Sequence, residues 1–436
     1  MSSDLIYNGS GLPSFPTLAG DAECDVLVIG GGVCGLLCAY YLQNAGVNVL
    51  VCEAERIAGA VTARSTAVVS VGQDVLCRDI SLRHGAYAAR TVMRSRIDAL
   101  REYHTLCHEL GCRFEVRDFY LYSTKGAARM EREYEQLRRF GVAATLLRDM
   151  PLNIKMSAAI HFSGQLQLDP LDFCARLVRG LTIRERTRIT RLTRDGAETD
   201  KYRIYAKYVI IATHFPLPKL RGLYALKLYQ KRSYVLALEG IRDIGGAYED
   251  ISEDGMYMRM YGKYLLLGGG DHRTGKSGGG FDAVLQYRAD NFANLFAGSK
   301  IYASWATQDT VSLDGLPYIG RLTRSSDRCF VATGFGGYGF IGSMISATLL
   351  RDLILGRDVP AAKVYDPSRS MMSAQLFANV FTSLGNYLLP IPRRCPHLGC
   401  ALKWNASECT WDCPCHGSRF DKCGALLNDP AQRDLR

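Results

Sequence analysis

Nowhere in its 436 residues does the chain carry a block of like charge. The 53 Lys and Arg are interleaved with 43 Asp and Glu, so the net charge of +10 is spread thinly, and the basic tract of a nucleic-acid-binding arm is missing. No repeat or low-complexity tract is present, which excludes a solenoid. No N-terminal stretch joins a basic segment to an apolar run and a small-residue cleavage site, so the expected compartment is the cytoplasm. Uncharged runs long enough to cross a bilayer do occur, over residues 26–52 and 329–350. Both are broken by glycines (Gly30, Gly31, Gly32 and Gly35; Gly334, Gly336, Gly337, Gly339 and Gly342), which favour tight turns, and no membrane span is expected. What remains is the composition of a globular protein, 47% hydrophobic and 22% charged, with room for a large core and an appended module. Cysteine is unevenly placed: nine of the 15 are scattered up to Cys329 and six crowd between Cys395 and Cys423, which points to metal at the C-terminal end.

From Asp25 the sequence DVLVIGGGVCGLLCAYYLQNAGVNVLVCEA reads as an apolar strand, a glycine turn, a helix and a second strand. Gly30, Gly32 and Gly35 have the GxGxxG spacing that allows a tight turn, close approach to a pyrophosphate and close helix-to-strand packing. Glu53, at the end of the second strand, is placed to accept hydrogen bonds from a ribose diol. FAD and NAD share this fingerprint, so the choice between them rests on distant segments. These are IIATHFP (Ile210–Pro216), and LDGLPYIG (Leu313–Gly320) followed by CFVATGFGGYGF, which reads as a strand, a glycine-rich turn and the start of a helix.

With RIAGAVTARSTAVV after Glu53, the order of these segments resembles the D-amino-acid oxidase superfamily of FAD-dependent oxidoreductases, the glycine oxidase and sarcosine oxidase group. The resemblance implies that Gly30, Gly32, Gly35, Glu53, Thr62, Ser65, Thr66, Ala212 and the turn of Gly334, Gly336, Gly337 and Gly339 surround FAD; Thr62 and Ser65 also suit an ordinary polar loop. It implies an α/β chain, α+β overall. A Rossmann-like FAD-binding domain would be built from segments of about 20–80, 151–215 and 300–365. An inserted antiparallel-sheet substrate domain would take about 81–150, largely helical by pattern, and 216–299; together they form an oxidoreductase domain over 20–365. Tyr229, Tyr234, Tyr257, Tyr261 and Tyr264 suit either a pocket or the core.

His104 and His108 share a helix face at i, i+4, but no third ligand accompanies them, so they are expected on a solvated helix. At the position of Asp309, amino-acid oxidases of the resembled superfamily usually place an arginine that clamps a carboxylate. An acid there suits a cationic amine or a structural partner for a nearby arginine. No nucleophile and base pair stands out, and no catalytic residue is assigned.

The segment CPHLGCALKWNASECTWDCPCHGSRF (Cys395–Phe420) offers Cys395 and His397 from one loop and Cys413 and His416 from another. Two Cys and two His suit tetrahedral zinc or a Rieske-type [2Fe-2S] cluster. The run CPCHGS resembles the Rieske proteins of respiratory and photosynthetic cytochrome complexes. By that resemblance Cys395 and Cys413 bind one iron, His397 and His416 bind the other, and Cys400 and Cys415 form a disulfide. Ser418 would donate towards the cluster, whereas Phe420 stands where those relatives have a tyrosine hydroxyl. The module, 388–436 after a linker at 366–387, is a small β/loop unit too short for a full β base, so its cluster loops are expected to lean on the flavin domain. The whole, including YDPSR (Tyr365–Arg369), resembles a bacterial group of oxidase-like flavoproteins with a short Rieske tail.

A flavin and a one-electron cluster in one chain suit a dehydrogenase that oxidises a small, amine-like molecule and hands electrons to an external acceptor. A redox sensor without a small substrate is the rival. A Rieske oxygenase would need a two-His, one-carboxylate iron site, for which only His104 and His108 offer themselves.

Overall fold

The computed structural model describes residues 6–7, 11–152, 154–217, 221–252, 255–276, 278–292, 296–389, 391 and 393–435. Its first layer is a sheet with the spatial order Tyr318–Arg321, Cys329–Thr333, Arg203–Ile211, Ala22–Ile29, Val49–Cys52, Thr182–Arg184. All neighbours along this path are parallel except the first pair. Val49–Cys52 is buried along its whole length and Ala22–Ile29 along most of it, as expected of parallel strands covered on both faces. The helices Val33–Asn44 and Gly339–Ile354 pack against each other over this layer and are mostly buried. That burial explains why both sequence runs are apolar enough to resemble membrane spans. Among the described residues no helix is long and apolar enough to cross a membrane.

The second layer is a nine-stranded sheet. It is antiparallel except where Gly246–Asp250 runs parallel to Phe114–Ser123. The stretch expected to be largely helical does contain helices, Leu76–Leu110 with a break at Gly85 and Ala127–Arg139, but Phe114–Ser123 joins the sheet between them. Strands Ala158–Leu168 and Lys300–Ser312, which fall in segments expected on the cofactor side, also belong to this sheet. Both alternate or run buried against neighbouring strands, which ties them to the second layer whatever their sequence neighbours do.

Two sequence motifs meet at the joint before the C-terminal module. Arg369 of YDPSR forms a two-pronged ion pair with Asp314 of LDGLPYIG at 2.7 Å for both contacts, and donates to Pro317 O. Burial opposes ionisation of Asp314, yet the Arg369 hydrogen bonds hold its carboxyl well below the usual range. The expected linker carries a helix, Ala374–Leu388, whose Ser373 side chain accepts from Leu376 N. Beyond it the short strands Lys403–Asn405, Thr410–Asp412, Arg419–Phe420 and Leu426–Asn428 form a meander of four.

Candidate functional site

The two layers enclose a cavity of about 2750 Å³. That exceeds the roughly 300–1,000 Å³ that holds one drug-sized ligand. Gly30, Gly32, Glu53, Thr62, Ser65, Thr66, Ala212, Gly336, Gly337 and Gly339 all line it. Gly30 has φ +109°, and a Cβ there would sit 2.5 Å from Ala212 O, so the backbone itself forms the floor. Gly35 lies behind the floor: its Cβ would fall 1.9 Å from Gly30 O, which makes it the contact that lets the helix approach the strand. Gly334 is likewise set back, against Ser312, while Gly336 N binds Thr310 O at 3.0 Å and ties the second glycine turn to the other layer. Glu53 accepts from Gly31 N at 2.6 Å and Glu55 N at 2.9 Å. Burial lifts its carboxyl above the usual range, and those two hydrogen bonds oppose the lift. Thr62 Oγ1 accepts from Val33 N at 3.1 Å at the helix start, and Ser65 Oγ accepts from Ala67 N.

Across the cavity the nine-stranded sheet presents carboxylates. Asp309 and Asp271 stand on strands flanking Leu228–Glu239. Burial, reinforced by the neighbouring charge of Asp271 and offset by Lys231 and Arg232, pushes Asp309 up to about 7. Burial also raises Asp271, and Ser233 stabilises its charged form. Glu249, to which the Tyr338 hydroxyl donates, is pushed up to about 7 by burial. Asp309 forms no salt bridge among the described residues. Of the five tyrosines considered for the pocket, Tyr257 lines it, with its hydroxyl 3.0 Å from Ser233 Oγ. The others serve elsewhere: Tyr229 lies under Arg273, Tyr234 stacks on His272, Tyr261 donates to Asp169 and Tyr264 packs on Tyr302. His104 pairs with Gly164 O and His108 packs on Phe114, so that pair belongs to the helix surface.

The C-terminal module brings its two loops together. Cys413, Cys400 and Cys415 have sulfurs within 4.8 Å of one another, Cys395 interacts with Cys413, and the rings of His397 and His416 are perpendicular at 4.9 Å. Cys400 and Cys415, expected as a disulfide, are free thiols here, as are all fifteen cysteines. Their sulfurs are nonetheless neighbours. His416 Nε2 lies 3.1 Å from Ala225 O, while its buried Nδ1 has no hydrogen-bond partner. A nitrogen desolvated in this way, beside a nest of sulfurs, fits a metal ligand. Ser418 interacts with Cys395 and accepts from Ala431 N at 3.0 Å; Phe420 is fully buried.

Sequence reasoning did not single out the residues that join these two centres. The strand end that supplies Ala212 continues through His214 to Phe215, whose ring lies 6.0 Å from both His397 and His416. His214 and Phe215 line the cavity, and burial lowers His214 to about 4. Gln230 Nε2 donates to His416 O at 2.8 Å, and Gln308 Nε2 donates to Gly417 O at 2.9 Å and to Gln230 Oε1. Arg273 donates to Pro414 O and Cys415 O. A buried ionic chain runs Arg232, Glu408, Arg419, Asp412 across the same junction. The cluster loops therefore lean on the larger domain, with His397 and His416 only 4% and 3% exposed. The one signal in the sequence was the His214-Phe215 pair just after the apolar strand; the structure puts His214 at φ +64°.

The family model described as FAD dependent oxidoreductase matches residues 25–353, and that described as Rieske [2Fe-2S] domain matches 369–436. YhfW of Bacillus subtilis (strain 168), named as a Rieske 2Fe-2S iron-sulfur protein, is 29% identical over 98% of this chain and 95% of its own. Gamma-glutamylputrescine oxidoreductase of Escherichia coli (strain K12) is 24% identical over 78% of this chain and 86% of its own. Among solved structures, glycine oxidase from Geobacillus kaustophilus shares the fold with a TM-score of 0.68 at 18% identity, over 80% of this chain and 100% of that one.

Proposed function

The chain belongs to the FAD dependent oxidoreductase family and ends in a Rieske [2Fe-2S] domain, and from that premise we propose a dehydrogenase that oxidises a small cationic amine and passes electrons through the cluster to an external acceptor. Its cofactors are FAD and a [2Fe-2S] cluster. Gly30, Gly32, Thr62, Ala212 and the Gly336–Gly339 turn would hold FAD, and Cys395, His397, Cys413 and His416 the cluster; oxidation of Cys400 and Cys415 to a disulfide would brace its loops. When bound, FAD supplies two-electron hydride chemistry and the cluster one-electron transfer.

The observation that carries the amine reading is the pair of buried acids Asp309 and Asp271 on the cavity wall, without a salt bridge to Asp309 among the described residues. Two desolvated carboxyls whose charges act on each other across the intervening strand resist ionising together, and an ammonium group in the cavity beside them relieves both burial and mutual repulsion. Glu249 adds a third acid on the same wall. The name of the Escherichia coli relative, gamma-glutamylputrescine oxidoreductase, contains an amine and points the same way. The cavity's size counts against a sensor without a small substrate, because it leaves room beyond a dinucleotide.

The test is anaerobic mixing of the holoprotein with a panel of primary and secondary amines and, separately, α-amino acids and hydroxy acids. Amines are expected to bleach the flavin, followed by the spectrum of a reduced Rieske cluster. Reduction by anionic donors alone would remove the amine assignment. A reduced flavin beside a cluster that stays oxidised would remove the electron exit.

A further inference from the structure

The helix Ala374–Leu388 is built inside out. A surface helix turns its apolar stripe to the core and its polar residues to water. Here Asn379, 1% exposed, faces the protein: it accepts from Arg273 Nη1 at 2.8 Å and donates to Leu226 O at 3.0 Å. Phe377, Phe381, Leu384 and Leu388 repeat at i, i+4, i+7 and i+11 and stand outward, with Phe381 71% and Leu388 79% exposed. Met372 and Tyr387 extend the same patch. A continuous apolar stripe of this kind on a surface marks a contact site.

The surrounding charge selects the occupant. Between Asp366 and Glu408 the sequence has no acid. Arg393 and Arg394 are exposed at the C-terminal end of the helix, and Arg394 caps it by donating to Tyr387 O and Leu389 O. An amphipathic helix with aromatic and leucine side chains outward, basic residues at its end and no carboxylate within its own stretch of chain matches an anionic lipid surface. At 15 residues it lies along such a surface and does not cross it. The helix also backs the first cluster loop, since Ala401 N binds Asn386 O at 3.1 Å and a Cβ on Gly399 would meet Tyr387.

We infer that the Phe377–Leu388 face is a docking surface for an anionic membrane, and that it seats the cluster end of the molecule at the lipid headgroups. This holds whatever the substrate is. The experiment is flotation of the full chain, with both cofactors bound, on vesicles of equal parts phosphatidylglycerol and phosphatidylcholine and on vesicles of phosphatidylcholine alone. The protein is expected to float with the anionic vesicles, less with the neutral ones, and less as salt is raised. Phe381→Gln with Leu384→Gln should weaken vesicle binding on the order of tenfold or more, by removing two exposed apolar side chains, with the flavin absorbance unchanged. Protein that stays with the vesicle-free fraction, or a variant that floats like the parent, overturns the inference. So does sedimentation velocity showing that the parent self-associates without lipid and the variant does not, because the occupant would then be a second copy.

Discussion

The ring of Phe215 stands edge-on to that of His416, centroids 6.0 Å apart at 68°. Phe215 is buried and lies three residues beyond Ala212 on the cavity floor, so one short stretch of backbone links the flavin side to the cluster side. Replacing the ring with a smaller side chain removes packing between the two centres without touching the substrate wall. Phe215→Leu should leave reduction of the flavin by substrate close to the parent rate and slow reduction of the cluster several-fold. Stopped-flow absorbance resolves the two phases.

Gly30 and Gly46 both have positive φ, +109° and +83°, but only Gly30 has a neighbour in the way. Gly30→Ala should lose FAD during purification, because the added Cβ drives into Ala212 O. Gly46→Ala should keep FAD at a backbone cost of about 1–3 kcal/mol. The flavin-to-protein absorbance ratio of the two variants decides this.

Glu408 sits between Arg232 and Arg419, which are themselves buried. Glu408→Ala strands Arg232, while Arg419 keeps Asp412, and breaking a buried pair in this way costs about 3–5 kcal/mol. The larger domain should keep its flavin while the C-terminal module becomes sensitive to limited proteolysis. An intact module under protease would show that the ionic chain is dispensable.

Asp309 and Glu249 are both pushed up to about 7. From pH 4 to 7 the folded protein keeps protons that the unfolded chain has released, so stability contributed by these groups falls as pH rises through that window and is lowest above it. Asp309→Asn should therefore be more stable than the parent at pH 8, by roughly 1–4 kcal/mol as an order of magnitude, and nearly equal to it at pH 4. Denaturation followed by circular dichroism at both values measures the gap.

Ser418 offers the cluster sulfurs a hydroxyl, and Phe420 offers none. Phe420→Tyr should raise the cluster midpoint potential and Ser418→Ala should lower it, each on the order of tens of millivolts for a one-electron couple. A redox titration in which neither moves would remove hydrogen bonding as the control.

The parts of this molecule that were legible in the sequence are those where the backbone does the work. Gly30, Gly32 and Gly35 declare a phosphate turn because no side chain fits beside Ala212 O or Gly30 O, and the Cys and His spacing declares a cluster because ligand chemistry fixes residue type. The nine-stranded sheet was harder to read. Phe114–Ser123 sits between two helices, and its pairing with Gly246–Asp250 depends on residues more than a hundred positions away. Gln230 and Gln308 were invisible for a related reason: a glutamine gains meaning only from what it meets, and what these meet is the loop from Cys413 to Gly417. Asp309 was noticed only because an acid stands where a base was expected.

The docking of that loop by Gln230, Gln308 and Arg273 sets how the protein can deliver electrons. A carrier that swings between donor and acceptor needs a hinge and a face that can let go. Here Gln308 and Gln230 hold the loop backbone itself, a Cβ on Gly417 would already collide with Gln230, and Arg273 ties Cys415 to the helix that leads into the module. With no room to pivot, the cluster loop is a fixed terminal, and on the proposed function an acceptor would have to travel to it.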